Sequence, residues 1–352
     1  MVYLSEYLEE RNNNFNLTRM LAAIAVIFSH SFILAYGPLN GTDPLVQYLG
    51  FPVSGLAVDI FFITSGLLVT KSLVERGSVR FFITARFLRI FPGLIVALVF
   101  SICIIGSIAT QLDFSDYISH PDTMGYIARN IWLFDNKIQF SLPGVFSDLP
   151  YANAVNGSLW TLPWEVYSYT SLLVLYLLFG KDYRIIFLMM GWGMVALYIN
   201  TIYKVVDFDF LNPIYIKLLV MFYIGALFYL YKDKIKVNWL YTVLVVIGFY
   251  FIKEPKLSKV LLPFVISYLT ISFAYLVKGF VLSYNKLGDF SYGTYIYAFP
   301  VQQLVVMYFS PGGWGLFFIS TALTVLLAIF SWYCVESPSM SLRSRFFNWK
   351  KT

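Results

Sequence analysis

The chain has 352 residues, 59% of them hydrophobic and 20% aromatic, with only 12% charged and a formal net charge of +6. A soluble protein of this size carries about 25% charged residues, so the composition excludes a soluble globular enzyme and indicates a polytopic membrane protein. The basic residues are dispersed rather than grooved together, which excludes a nucleic-acid partner. The two cysteines, Cys103 and Cys334, both lie in apolar segments, so neither a disulfide framework nor a metal site is expected.

The first fifteen residues set Glu6, Glu9 and Glu10 against Arg11, and no small-residue cleavage site follows the first apolar run. That run is therefore expected to be retained rather than removed as a signal peptide. Ten segments of membrane-spanning length follow, at about 17–36, 53–74, 88–110, 157–179, 184–203, 213–231, 237–252, 258–277, 287–309 and 314–335. The expected fold is all-α, a single transmembrane domain over residues 1–352 with about ten transmembrane helices, since open sheet edges cannot face lipid.

Ten is even, so both ends share a side. With the amino terminus inside, the cytoplasmic stretches hold 17 of the 25 Lys and Arg and the outer loops hold six. This favours an N-in, C-in topology. One loop dissents, because Lys253, Lys256 and Lys259 cluster on the expected outside. The longest loop, about 111–156, is acidic (Asp113, Asp116, Asp122, Asp135, Asp148) and is placed outside. Its short apolar stretch, Met124 to Phe134, is expected at the interface or dipping inward. Residues 336–352 are expected as a cytoplasmic tail.

Arg19 and His30 lie in the first segment, where ionisable residues are costly and mark function by default. Eleven steps of ~100° return to within ~20° of one azimuth, so the two share a helix face, ~16 Å apart along the axis. His30 falls ~20 Å from the cytoplasmic boundary of a ~30 Å core. Asp59 in the second segment and Glu165 in the fourth fall ~10 and ~12 Å below the outer boundary. Three ionisable groups thus share a depth. A carboxylate beside an imidazole fixes its tautomer and raises its basicity, as a general base requires, and either Glu165 or Asp59 suits that role. Plain polar contact between helices is the competing explanation.

Arg86 and Arg89 open the third segment at i, i+3, on one helix face. With Arg19 they form a cytoplasmic group whose guanidinium donors match phosphate oxygens. For Lys71 and Arg76 ordinary loop charge or headgroup contact is the simpler account. Ser65-Gly66 permits close helix approach, and Ser65 is also a candidate lining for the donor cavity. His120 is a turn residue, and Glu336 is expected to anchor the end of the last helix. On residues alone a proton-coupled transporter or flippase, with Arg19, His30 and the carboxylates as its relay, is the alternative to an enzyme.

Six stretches taken in order resemble one family. They are Arg19-x10-His30; Val58-Asp-Ile-Phe-Phe-x-x-Ser65-Gly66; Arg86-x-x-Arg89-Ile-x-Pro92; Gly157-Ser-Leu-Trp-Thr-Leu-Pro-Trp-Glu165; Ser291-Tyr-Gly-Thr-Tyr-Ile-Tyr297; and Ser331-Trp-Tyr-Cys-Val-Glu336-Ser-Pro338. Over about residues 14–340 the chain is similar to the membrane-bound acyltransferase 3 family. The resemblance implies an enzyme of the bacterial inner membrane that moves an acyl group, usually acetyl, from acyl-CoA to a hydroxyl, often of a glycan or lipid-linked saccharide. It implies that His30 is the essential histidine and that Arg19, Arg86 and Arg89 serve the CoA side. One position departs: many relatives carry His just before the aromatic-Pro of the ninth segment, where this chain has Ala298-Phe299-Pro300, so no proton relay is expected there. The hydrolase-like domain that some relatives append is not expected either.

Overall fold

The computed structural model describes residues 2–9, 12–134, 137–180, 183–206 and 212–346. Glu10, Arg11, Asp135 and the end of the expected tail lie outside the described residues. Among the described residues the elements are helical, with two isolated bridges, Tyr3 to Lys236 and Thr110 to Val145. Among the described residues eight helices are long and apolar enough to cross a membrane: Phe15–Tyr36, Val53–Arg76, Val79–Ala109, Gly157–Phe179, Arg184–Tyr203, Pro213–Leu230, Pro255–Leu276 and Gly313–Arg343.

The two remaining expected segments are also helical but differ in kind. Trp239–Tyr250 has only 12 residues, ~18 Å at 1.5 Å per residue. Ser291–Phe309 is long enough, with 19 residues, but is buried on nearly every side. Facing protein rather than lipid, it keeps Ser, Thr, Gln and Tyr side chains that a lipid-facing helix would shed.

Two helix ends differ from the apolar windows. The third helix starts at Val79, where Ser78 Oγ accepts from the Phe81 amide at 3.3 Å, and so takes in Arg80, Arg86 and Arg89. The last helix does not stop at Glu336 but continues as Ser337–Phe346 after a π-turn at Trp332–Glu336. Charge ends an apolar window; it does not end a hydrogen-bonded helix.

The described chain forms two compact units. The first comprises Met1–Arg19, Val58–Gly77 and Trp164–Gly288. Its central helix is Pro213–Leu230, which buries 12 of its 18 residues. Ser65-Gly66 makes the expected close approach there: a Cβ on Gly66 would lie 2.0 Å from the Phe222 carbonyl oxygen, and one on Gly225 would lie 2.2 Å from that of Ile63. Glycine lets the two backbones touch. Lys71 Nζ donates to the Leu8 carbonyl at 2.6 Å, a local structural contact.

The second unit comprises Met20–Ala57, Ser78–Pro163 and Asp289–Thr352. Here Ser291–Phe309 is the core, and Gly293 and Gly93 leave room for Ala328 and for the Tyr292 ring. The acidic loop folds on this unit. Its helix Pro121–Ile131 buries Tyr126 and Asn130 while Met124 stays exposed. The Tyr117 hydroxyl donates to the Ile102 carbonyl at 3.0 Å, in space that any side chain on Gly106 would fill.

Candidate active site

In the first unit each expected acidic residue has a near partner. The Asp59 carboxylate, 1% exposed, lies 2.6 Å from Lys217 Nζ. A buried carboxylate without a partner is costly, and a lysine on a facing helix supplies the partner here. Glu165 accepts from the Tyr169 hydroxyl one turn on, and that hydroxyl also lies 3.4 Å from Ser65 Oγ. The structure therefore brings Glu165 and Ser65 together through a tyrosine. Trp164, beside Glu165, stacks on Tyr215 with ring centroids 4.1 Å apart. The Arg19 guanidinium lies over the Phe61 ring at 5.7 Å, a cation–π contact.

In the second unit His30 is half-buried in the helix Phe15–Tyr36. Its Nδ1 is buried and has no hydrogen-bond partner among the described residues. Its ring meets Phe299 edge to face, with centroids 5.7 Å apart. Phe299 also meets Tyr151 at 5.9 Å, and it fills the space beside Gly157, where a Cβ would lie 2.7 Å from the ring. The glycine that opens the Gly157-Ser-Leu-Trp motif is thus what admits the aromatic seated against His30.

Hydrogen bonds hold the same region. Gln302 Nε2 donates to the Ile27 carbonyl at 2.9 Å and to Ser31 Oγ at 2.8 Å, clamping the turn that carries His30. Its Oε1 is buried with no partner among the described residues. Asn156 Nδ2 donates to the Ile296 carbonyl at 2.8 Å, tying the motif to the core helix. Ser29, the residue before His30, donates to Asp43 at 2.7 Å, and the Leu45 and Val53 amides cap the same carboxylate.

Arg89 is held by two carboxylates. Its Nη2 lies 2.6 Å from Asp289 and its Nη1 lies 3.7 Å from Glu336. Glu336 also accepts from Ser331 at 3.1 Å, across the π-turn. Glu336 therefore anchors a bend inside a longer helix and one side of Arg89. Arg86 lies half-buried on the same helix.

The sequence alone does not single out Gln302, Phe299, Asn156, Asp43, Asp289 or Tyr169, and it does not pair Lys217 with Asp59. Two of these carried a signal. Lys217 and the Gln302-Gln303 pair are polar residues inside apolar segments, the class that marks function or a specific partner. Nothing in one sequence pairs Asp289 with Arg89, 200 positions away. Among the described residues no group of His, Cys, Asp and Glu is placed to hold a metal ion.

The acyltransferase 3 family model, described as an acyltransferase domain, matches residues 12–333. The chain belongs to the acyltransferase 3 family. An O-acetyl transferase of Shigella phage Sf6 is 31% identical over 351 residues, covering 94% of this chain and 99% of that protein. Nodulation protein 10 of Rhizobium leguminosarum bv. viciae is 28% identical over 366 residues, covering 97% and 96%. No solved structure matches. This acyltransferase is thus an all-helical, multi-pass membrane enzyme.

Proposed function

We propose that this acyltransferase moves an acetyl group from acetyl-CoA, bound at the cytoplasmic side of a bacterial inner membrane, to a sugar hydroxyl of a cell-surface or lipid-linked glycan. The observation that carries the reading is the His30 Nδ1: buried, without a partner among the described residues, and eleven positions after Arg19 on one helix. An orphaned ring nitrogen in a membrane helix demands a reason, and a substrate hydroxyl supplies one. The likeness to an O-acetyl transferase supports acetyl as the group and an oxygen as its acceptor.

In the reaction His30 takes the proton of the acceptor hydroxyl as its oxygen attacks the thioester carbon. The C–S bond breaks, the acetyl group passes to oxygen as an ester, and the CoA thiolate leaves and takes up the proton. Phe299 and Gln302 set the position of the imidazole. Glu165 or Asp59 supports its basicity, each already partnered, by Tyr169 and Lys217 respectively. Arg19 and Arg86 bind the CoA phosphates together with Arg89, and Ser65 lines the donor path. With an N-in, C-in topology Arg19 faces the cytoplasm and His30 lies deeper, so the acetyl group crosses part of the bilayer on the pantetheine arm.

The test is purified protein in proteoliposomes with labelled acetyl-CoA and an oligosaccharide acceptor. The reading predicts label in the saccharide ester and stoichiometric free CoA. Movement of saccharide across the bilayer without consumption of acetyl-CoA would instead establish a transporter.

A further inference from the structure

Two of the three lysines that contradict the charge census, Lys256 and Lys259, share one cavity. It has a volume of about 380 Å³ and is lined as well by Lys217, Tyr198 and Thr201, all in the first unit. The cavity sits where three candidate spans end: the last turns of Arg184–Tyr203 and the first turns of Pro213–Leu230 and Pro255–Leu276. Its volume is at the small end of the range for ligand sites, enough for a head group rather than a whole oligosaccharide.

The charges are arranged for an anion. Lys217 forms one wall, its ammonium paired with Asp59 at 2.6 Å, so the net positive charge facing a ligand comes from Lys256 and Lys259. Lys256 stands over the Tyr203 ring at 5.3 Å, an aromatic contact that leaves its N–H donors for a ligand. Lys259 has no carboxylate partner among the described residues, and its backbone is fixed by a hydrogen bond from the Tyr198 hydroxyl to its carbonyl at 3.3 Å. Two helices also begin at the cavity, with Pro213 and Pro255 in its wall, so their positive dipole ends add to the field. The carboxylate of Glu254 is spent capping the Leu257 amide. Between the lysines the walls are apolar, with Ile202, Ile214 and the two prolines.

We infer that this cavity binds the phosphate or diphosphate head group of an amphiphile lying in the membrane. A phosphate matches clustered ammonium donors, and apolar walls at the ends of spans receive the first carbons of a lipid tail. Positive charge on the outer side of a membrane protein is disfavoured as mere loop charge, and a bound anion accounts for it. Two amphiphiles carry this chemistry: an anionic phospholipid, and the polyprenyl diphosphate carrier of a lipid-linked acceptor. Only the second rests on the function proposed above, where it would tether the acceptor by its carrier.

The test is binding, measured without acetyl-CoA. The full chain in phosphatidylcholine nanodiscs is titrated with a polyprenyl diphosphate and, separately, assembled with phosphatidylglycerol, and bound lipid is read by native mass spectrometry. The expected result is retention by the unaltered chain, weakened about tenfold or more in a Lys256→Gln, Lys259→Gln double variant. Lys259→Arg should hold, as should Lys253→Gln, whose ammonium lies over Tyr250 outside the cavity lining. Loss of the diphosphate alone assigns the site to the carrier, and loss of both lipids assigns it to phosphate head groups in general. Equal binding by the double variant and the unaltered chain would overturn the inference. Acetyl transfer to a water-soluble saccharide, run on the unaltered chain, tests the function separately, so a failed cavity and a failed function give different results.

Discussion

Among the described residues His30 keeps a buried ring nitrogen without a partner, while Gln302 donates twice to the turn that carries it. The mechanism proposed above accordingly gives the proton transfer to the imidazole and its positioning to Gln302. Gln302→Leu removes both donations to the turn that carries His30. It should lower turnover by ~10- to ~100-fold through misplacement of the base, with acetyl-CoA binding unchanged, as steady-state kinetics and calorimetry would show. Arg89 makes a different prediction. Its side chain is 11% exposed between Asp289 and Glu336, and removing one member of such a group costs on the order of 3–5 kcal/mol. Arg89→Ala should therefore lose thermal stability in detergent before any kinetic defect is scored. An Arg89→Ala protein as stable as the unaltered chain would show that the carboxylates do not need it.

At the scale of elements, the crossing of Val53–Arg76 with Pro213–Leu230 depends on two glycines whose missing Cβ atoms let backbone meet backbone. Gly225→Val should destabilise by about 1–3 kcal/mol or more, the range for overpacking, and a melting curve would measure it. The acidic loop predicts a pH response. A hydrogen bond from Arg129 at 2.8 Å holds the Asp122 carboxyl below its ordinary range. A carboxyl lowered in the folded state contributes stability above its unfolded pKa of about 3.9 and loses it as pH falls through the lower folded value. Amide exchange in Pro121–Ile131, corrected for intrinsic rate, should therefore hold steady from neutral pH to about 5 and quicken only in stronger acid.

The elements were also where the sequence was most and least legible. Long apolar runs betray spans because lipid tolerates little else, and the Ser65-Gly66 pair announced a close crossing. Ser291–Phe309 was legible as a segment but not as a core: a single sequence does not say that a helix faces protein on every side. The depth argument put His30, Asp59 and Glu165 level, yet depth carries no azimuth between helices. It could not foresee that Lys217 would meet Asp59 or that Tyr169 would meet Glu165. Phe299 was noted only for the residue before it, whereas its contact with His30 depends on Gly157, 142 positions earlier.

For the whole molecule, family membership fixes the reaction class, and each unit holds its own set of the candidate residues. In the first unit an ion pair with Lys217 holds Asp59, a hydrogen bond from Tyr169 holds Glu165 and a cation–π contact with Phe61 holds Arg19, while in the second Phe299 packs against His30 and Gln302 bonds the turn that carries it. The proposed topology carries its own expectation: acetyl-CoA supplied to the cytoplasmic face of oriented vesicles should support transfer, and the same donor on the opposite face should not. The central claim is that His30 removes the acceptor proton. Mass spectrometry of the surface glycan from cells expressing the unaltered chain or His30→Ala, matched for folded protein in the membrane, tests it most directly. The account predicts acetyl ester in the first and a loss of about 100-fold or more in the second, within the range for a missing general base; near-equal acetylation in both would contradict it.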